Sequence, residues 1–65
     1  MTDTDAILRR IRAEFWEMPG LRLTLAQATR LWGLDVDTCR AAIDTLVAAA
    51  FLRRTPAGAV TRTDS

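Results

Sequence analysis

A chain of 65 residues that is 49% hydrophobic can form one small domain and is not a disordered tract. No apolar run approaches the roughly 20 residues of a membrane-spanning helix, and the opening MTDTD is unlike a signal or transit peptide, so the expectation is a cytoplasmic protein without a membrane partner. A net charge of +1 is low for a strong nonspecific nucleic-acid binder, and one cysteine with no histidine excludes an internal disulfide and a Cys/His metal site.

The first helix is expected over about residues 4–18. Thr4 is suited to its N-cap and Asp5 to its first turn. Ile7, Leu8, Ile11, Phe15 and Met18 fall at helical spacing on one stripe, and Pro19-Gly20 ends the helix. Leu21-Arg22-Leu23 alternates as a very short strand would. A second helix, about 24–32, starts from the T-x-x-Q capping box of Thr24 and Gln27. Leu25, Ala28, Leu31 and Trp32 supply its apolar contacts, Gly33 ends it in the left-handed region, and Leu34 fills the angle to the next helix.

The third helix is expected over about 35–50, with Asp35 as N-cap and Asp37 in the first turn. Its buried stripe reads Cys39, Ala42, Ile43, Leu46, Val47 and Ala50. Phe51 to Thr55 and Ala59 to Arg62 read as two strands around a Pro56-Ala57-Gly58 turn, and Thr63 to Ser65 as a frayed end. There is no repeat, linker or low-complexity segment.

Gln27-Ala28, the Gly33-Leu34 turn, the inward Cys39 and Ala42, Leu46-Val47 and the Phe51-Leu52-Arg53-Arg54 strand occur in the order of a winged helix-turn-helix. From Leu21 to Arg62, with Ile7 to Phe15 as leading helix, the chain resembles that superfamily in the manner of MarR-like and IclR-like bacterial regulators. The resemblance implies a mostly α fold with a small β-hairpin: three helices, and a wing over about 51–62. Its partner would be double-stranded DNA, with the third helix in the major groove, the wing on the backbone, and two half-sites if the protein is a dimer. Its function would be that of a small transcriptional regulator. Two departures are structural: Thr29 stands where a small alanine is usual, and Ala50 where many members carry glycine.

Candidate DNA contacts are Thr38, Arg40, Arg53, Arg54 and Arg62. Arg40 is the only cation on the outward face of the third helix, where it either reaches DNA or pairs with Asp44 at i, i+4. Thr38 either donates to a phosphate or is an ordinary first-turn residue. Arg53, Arg54 and Arg62 either straddle a phosphate backbone or form a charged edge that deters strand pairing. All nine basic residues are arginine, whose fork binds phosphate oxygens in pairs; together with the abundant alanine, this also matches the bias of a GC-rich bacterial genome. Arg9, Arg10 and Arg12 read as a solvated helix face.

Asp35, Asp37 and Asp44 on the same helix repel phosphate and leave a second reading open, a protein-interaction module. Trp16 lies off the buried stripe and is the candidate protein-interface residue, unless it packs on the Pro19-Gly20 turn; a protein partner or a homodimer would use it. Trp32 and Cys39 read as core. An enzyme is not expected: the chain lacks histidine and tyrosine, its only serine is Ser65, and no phosphate-binding glycine loop is present. No cofactor is expected.

Overall fold

The computed structural model describes residues 4–63. Three helices pack on a three-stranded antiparallel sheet. The chain order is α1 (Thr4–Glu17), β1 (Leu23–Thr24), α2 (Leu25–Trp32), α3 (Val36–Ala48), β2 (Leu52–Arg54) and β3 (Ala59–Arg62). The strands lie in the order β1-β3-β2, so the last strand is central and ties the hairpin to the start of α2. No helix among the described residues is long and apolar enough to cross a membrane.

Each element contributes to one core. Ile11 and Phe15 enter it from α1, Ala28 and Trp32 from α2, Cys39, Ala42, Ile43 and Leu46 from α3, and Leu23, Leu52 and Val60 from the sheet. The Phe15 and Trp32 rings meet edge-on at 6.3 Å, the favourable arrangement for two quadrupoles. Trp32 carries a buried Nε1–H without an acceptor among the described residues, while its backbone carbonyl accepts from Arg10 Nη1 at 3.4 Å.

The capping signals are realised in detail. Gln27 N donates to Thr24 Oγ1 at 3.2 Å and Thr24 N donates to Gln27 Oε1 at 3.0 Å, which closes the capping box. Gly33 takes φ 65° after α2, and Leu34 N donates back to the Thr29 carbonyl at 3.2 Å. Gly58, at φ 82°, completes the hairpin turn behind Pro56, where Gly58 N donates to the Thr55 carbonyl at 3.0 Å.

Several boundaries differ from the sequence reading. Thr4 is already helical, so it is the first residue of α1 and not its cap; the residue before it lies outside the described residues. Helix α1 stops at Glu17, and Met18 is exposed, because the residue preceding a proline is driven out of helical geometry. The first strand is Leu23–Thr24, not Leu21 to Leu23: Leu21 N turns back to the Met18 carbonyl at 2.9 Å. Leu31, read as one of the apolar contacts of α2, is exposed. Strand β2 is shorter than expected at both ends, since Phe51 and Thr55 lie outside it. Thr63 is not frayed: its N–H donates to the Phe51 carbonyl at 3.2 Å and its hydroxyl to the Ala50 carbonyl at 2.9 Å. The rest of that tail lies outside the described residues.

Ala50 is the most consequential difference. It is exposed and left-handed, at φ 61°, instead of extending the buried stripe of α3. Ala50 N donates to the Val47 carbonyl and Phe51 N to the Leu46 carbonyl, each at 3.0 Å. This is the Schellman closure of a helix, with alanine in the place glycine favours.

Left-handed alanine costs about 1–2 kcal/mol, against which glycine loses about 0.5–1 kcal/mol of backbone entropy. Ala50→Gly is therefore expected to stabilise the domain by roughly 0.5–1 kcal/mol, a rise of a few degrees in Tm. Thr24→Ala, which opens the capping box, should destabilise it by about 1 kcal/mol. Thermal or urea unfolding followed by circular dichroism reads both.

Candidate nucleic-acid interface

The outward face of α3 and the adjoining hairpin form the candidate site. Asp35 starts α3 as expected. Its Oδ2 accepts from Thr38 N at 3.0 Å and its Oδ1 from Thr38 Oγ1 at 2.6 Å. These two bonds hold the Asp35 carboxyl below the usual carboxylate range, the hydroxyl contact foremost. They also commit the Thr38 hydroxyl proton to Asp35. A candidate phosphate donor thus acts inside the helix cap, and its free capacity is that of an acceptor.

Beyond the cap, Val36, Asp37, Arg40, Ala41 and Asp44 are exposed along α3. The hairpin runs beside them. Leu25, Arg40, Asp44, Arg54 and Gly58 line a shallow crease of about 120 Å³ where α3 meets the wing. Arg40 and Arg54 are therefore brought to one place although 14 positions separate them in sequence. Between them, Asp44 accepts from Arg54 Nη2 in an exposed ion pair. One of the two sequence readings of Arg40 pairs it with Asp44 within α3. The hairpin supplies the partner instead.

The sheet register separates the wing arginines. Leu52 faces Arg62, Arg53 faces Thr61 and Arg54 faces Val60 across β2 and β3. Side chains alternate along a strand, so Arg54 and Arg62 share the face of Leu52 and Val60, while Arg53 and Thr61 share the other. Arg54 escapes the core at the wing end and reaches α3. Arg62, at the opposite end, is only 9% exposed, and its guanidinium carbon sits 4.2 Å from the centre of the Trp16 ring. The structure thus brings Arg40 and Arg54 together, leaves Arg53 exposed on the outer sheet face, and places Arg62 with Trp16 on another surface.

Trp16 is 62% exposed, and its ring is 6.3 Å from that of Phe51. Cys39 is fully buried, and burial raises its thiol above the ordinary value, reinforced by the Asp35 carboxylate. No cluster of His, Cys, Asp and Glu among the described residues could hold a metal ion. Compared with models of protein families, with curated proteins and with solved structures, the chain finds no match.

The lowered Asp35 value has a pH consequence. A carboxyl whose folded value lies below its unfolded value stabilises the fold above about pH 4 and loses that contribution as pH falls through the folded value. Asp35→Asn should therefore flatten the acid limb of the stability profile below about pH 4, measured by urea unfolding at stepped pH. An unchanged acid limb would mean that the cap carries no pH-linked stability.

Proposed function

We propose that this chain is a winged-helix domain that binds double-stranded DNA, with α3 in the major groove and the β2–β3 hairpin against the phosphate backbone. The observation that carries the reading is the convergence of Arg40 and Arg54 on the crease between an exposed helix and a hairpin. The element order and the β1-β3-β2 sheet support it. A helix in the major groove presents its first turns to base edges. Here those turns offer Arg40 for guanine and exposed Val36 for a thymine methyl group. Arg53 and Arg54 are the backbone contacts, and the likeness to bacterial regulators suggests transcriptional control.

Asp44 sets the strength of the interface. The Arg54–Asp44 pair is more than half exposed on both sides, and such pairs contribute only about 0–1 kcal/mol. A phosphate can take over Arg54 at small expense, but it then meets the Asp44 carboxylate. Binding of this kind is weak away from a specific site and steeply salt-dependent. The same acidic residues favour the second reading, a winged helix that docks on protein and leaves DNA alone. Asp37 and Asp44 make the outward face of α3 no better than neutral once Arg40 and Arg54 are counted.

The test is fluorescence anisotropy with a labelled random-sequence duplex. Two or three arginine–phosphate contacts predict a slope of log Kobs on log salt of about −2 to −3. Arg40→Ala and Arg54→Ala should each weaken binding several-fold, about 1 kcal/mol or more. Asp44→Asn should tighten it, since it removes the repulsion and releases Arg54. Absence of binding at low salt, with Asp44→Asn equally silent, would favour the protein-docking reading.

A further inference from the structure

The polar side chains on the outward face of α3 divide by the partner each already has. Asp35 and Thr38 are engaged with each other in the helix cap, and Asp44 is engaged by Arg54. Asp37 and Arg40 remain. Both are exposed, and neither side chain has a hydrogen bond or ion pair among the described residues. Val36 and Ala41, also exposed, are apolar.

Helical geometry fixes how the two remaining groups stand. With Cys39, Ala42, Ile43 and Leu46 turned into the core, Asp37 lies within about 10° of the opposite pole of α3. Arg40 is about 60° around the helix from it and about 4.5 Å further along the axis, on the side of the hairpin, where it borders the crease with Arg54. On its other side Asp37 borders a shallow groove shared with Thr4 and Ile7 of α1 and with no other charged residue. Seated in a major groove, α3 carries Asp37 deepest toward the base pairs, with Arg40 beside it.

An ionised carboxylate only accepts hydrogen bonds. The base edges in the major groove offer it two donors, cytosine N4 and adenine N6, while guanine and thymine offer none. Adenine N6 lies beside the N7 acceptor, which meets the second carboxylate oxygen with like partial charge; cytosine N4 lies beside no acceptor of its own base. Cytosine is therefore the base that satisfies a carboxylate here, and the others leave a desolvated charge poorly paired. Arg40, a donor only, takes guanine O6 and N7. An offset of about 4.5 Å along the helix against a base step of about 3.4 Å puts that guanine in the same base pair or the next.

We propose that Asp37 is the specificity-determining residue of α3, selecting a cytosine that is paired with, or adjacent to, the guanine taken by Arg40. The proposal rests on the DNA-binding reading above and names its substrate class, duplexes with a C·G pair under the first turns of α3. Asp37 acts largely by rejection: a carboxylate among phosphates lowers affinity for every sequence, and the cytosine amine offsets that loss at the right one.

The test is selection by the intact chain, at low salt, from a pool of duplexes with a randomised centre, run in parallel with Asp37→Asn and Asp37→Ala; circular dichroism establishes that the variants are folded. Wild type should enrich an invariant C·G position. Asp37→Asn should change that position to A·T, because a carboxamide pairs with adenine N6 and N7. In a selected duplex, N4-methylcytosine at that position keeps the base pair but puts a methyl group in place of the outward N–H. It should weaken wild type about tenfold or more and leave Asp37→Ala indifferent; this arm decides the matter even if a variant fails to fold. The same preferred base in wild type and Asp37→Asn, a uniform tightening of all duplexes in the variants, enrichment by the variants alone, or indifference of wild type to N4-methylcytosine would each overturn the proposal and leave DNA binding standing. No enrichment by wild type or by either variant would overturn the DNA-binding reading and this proposal with it.

Discussion

The packing of Phe15 against Trp32, in one core with Leu46 and Leu52, is the constraint on which the rest depends. These four side chains come from α1, α2, α3 and the sheet in turn, and a domain of this size has no second core to fall back on. Both candidate surfaces are consequences of it. Burying Ile43 and Leu46 turns Arg40 and Asp44 outward on α3, and burying Ile11 and Phe15 turns Arg12 and Trp16 outward on α1.

The sheet links the two surfaces. With β3 central, Val60 is pinned between β1 and β2, and its face of the sheet is committed to the core. Arginines at both ends of that face must reach past its edges to find water or a partner. Arg54 leaves toward α3 and meets Asp44, while Arg62 leaves toward α1 and meets Trp16. One hairpin thus supplies a cation to each of two surfaces. The first is paired with a carboxylate, and the second is held by an aromatic ring.

Much of the fold was legible because it is written in local chemistry. The Thr24–Gln27 box, the Asp35 cap, Gly33 and Gly58 each satisfy a backbone requirement that neighbouring residues alone dictate. The Ala50 departure was visible as a missing glycine, but its positive φ was not, since nothing in the alanine announces it. The candidate site was legible by element and less so by residue. Arg40 and Arg54 could be named, but their meeting at Asp44 depends on where the hairpin lands, which is a long-range matter. The alternation Leu52-Arg53-Arg54 and Val60-Thr61-Arg62 did hold the signal that Arg62 shares the core-facing side of the sheet; reading the wing as a simple basic hairpin passed over it. Met18 and Leu31 mark the opposite failure: the first lies just past the end of α1, and the second at the lateral edge of its stripe beside the buried Trp32.

The most direct measurement is a ¹H–¹⁵N chemical-shift map of the chain titrated with a short DNA duplex at low salt. The account predicts progressive shifts confined to the first turns of α3, Arg40, Arg53, Arg54 and the Pro56-Ala57-Gly58 turn, with the Trp16 indole N–H unmoved. Shifts centred on Trp16, Arg12 and Arg62, or no shifts at all, would contradict it.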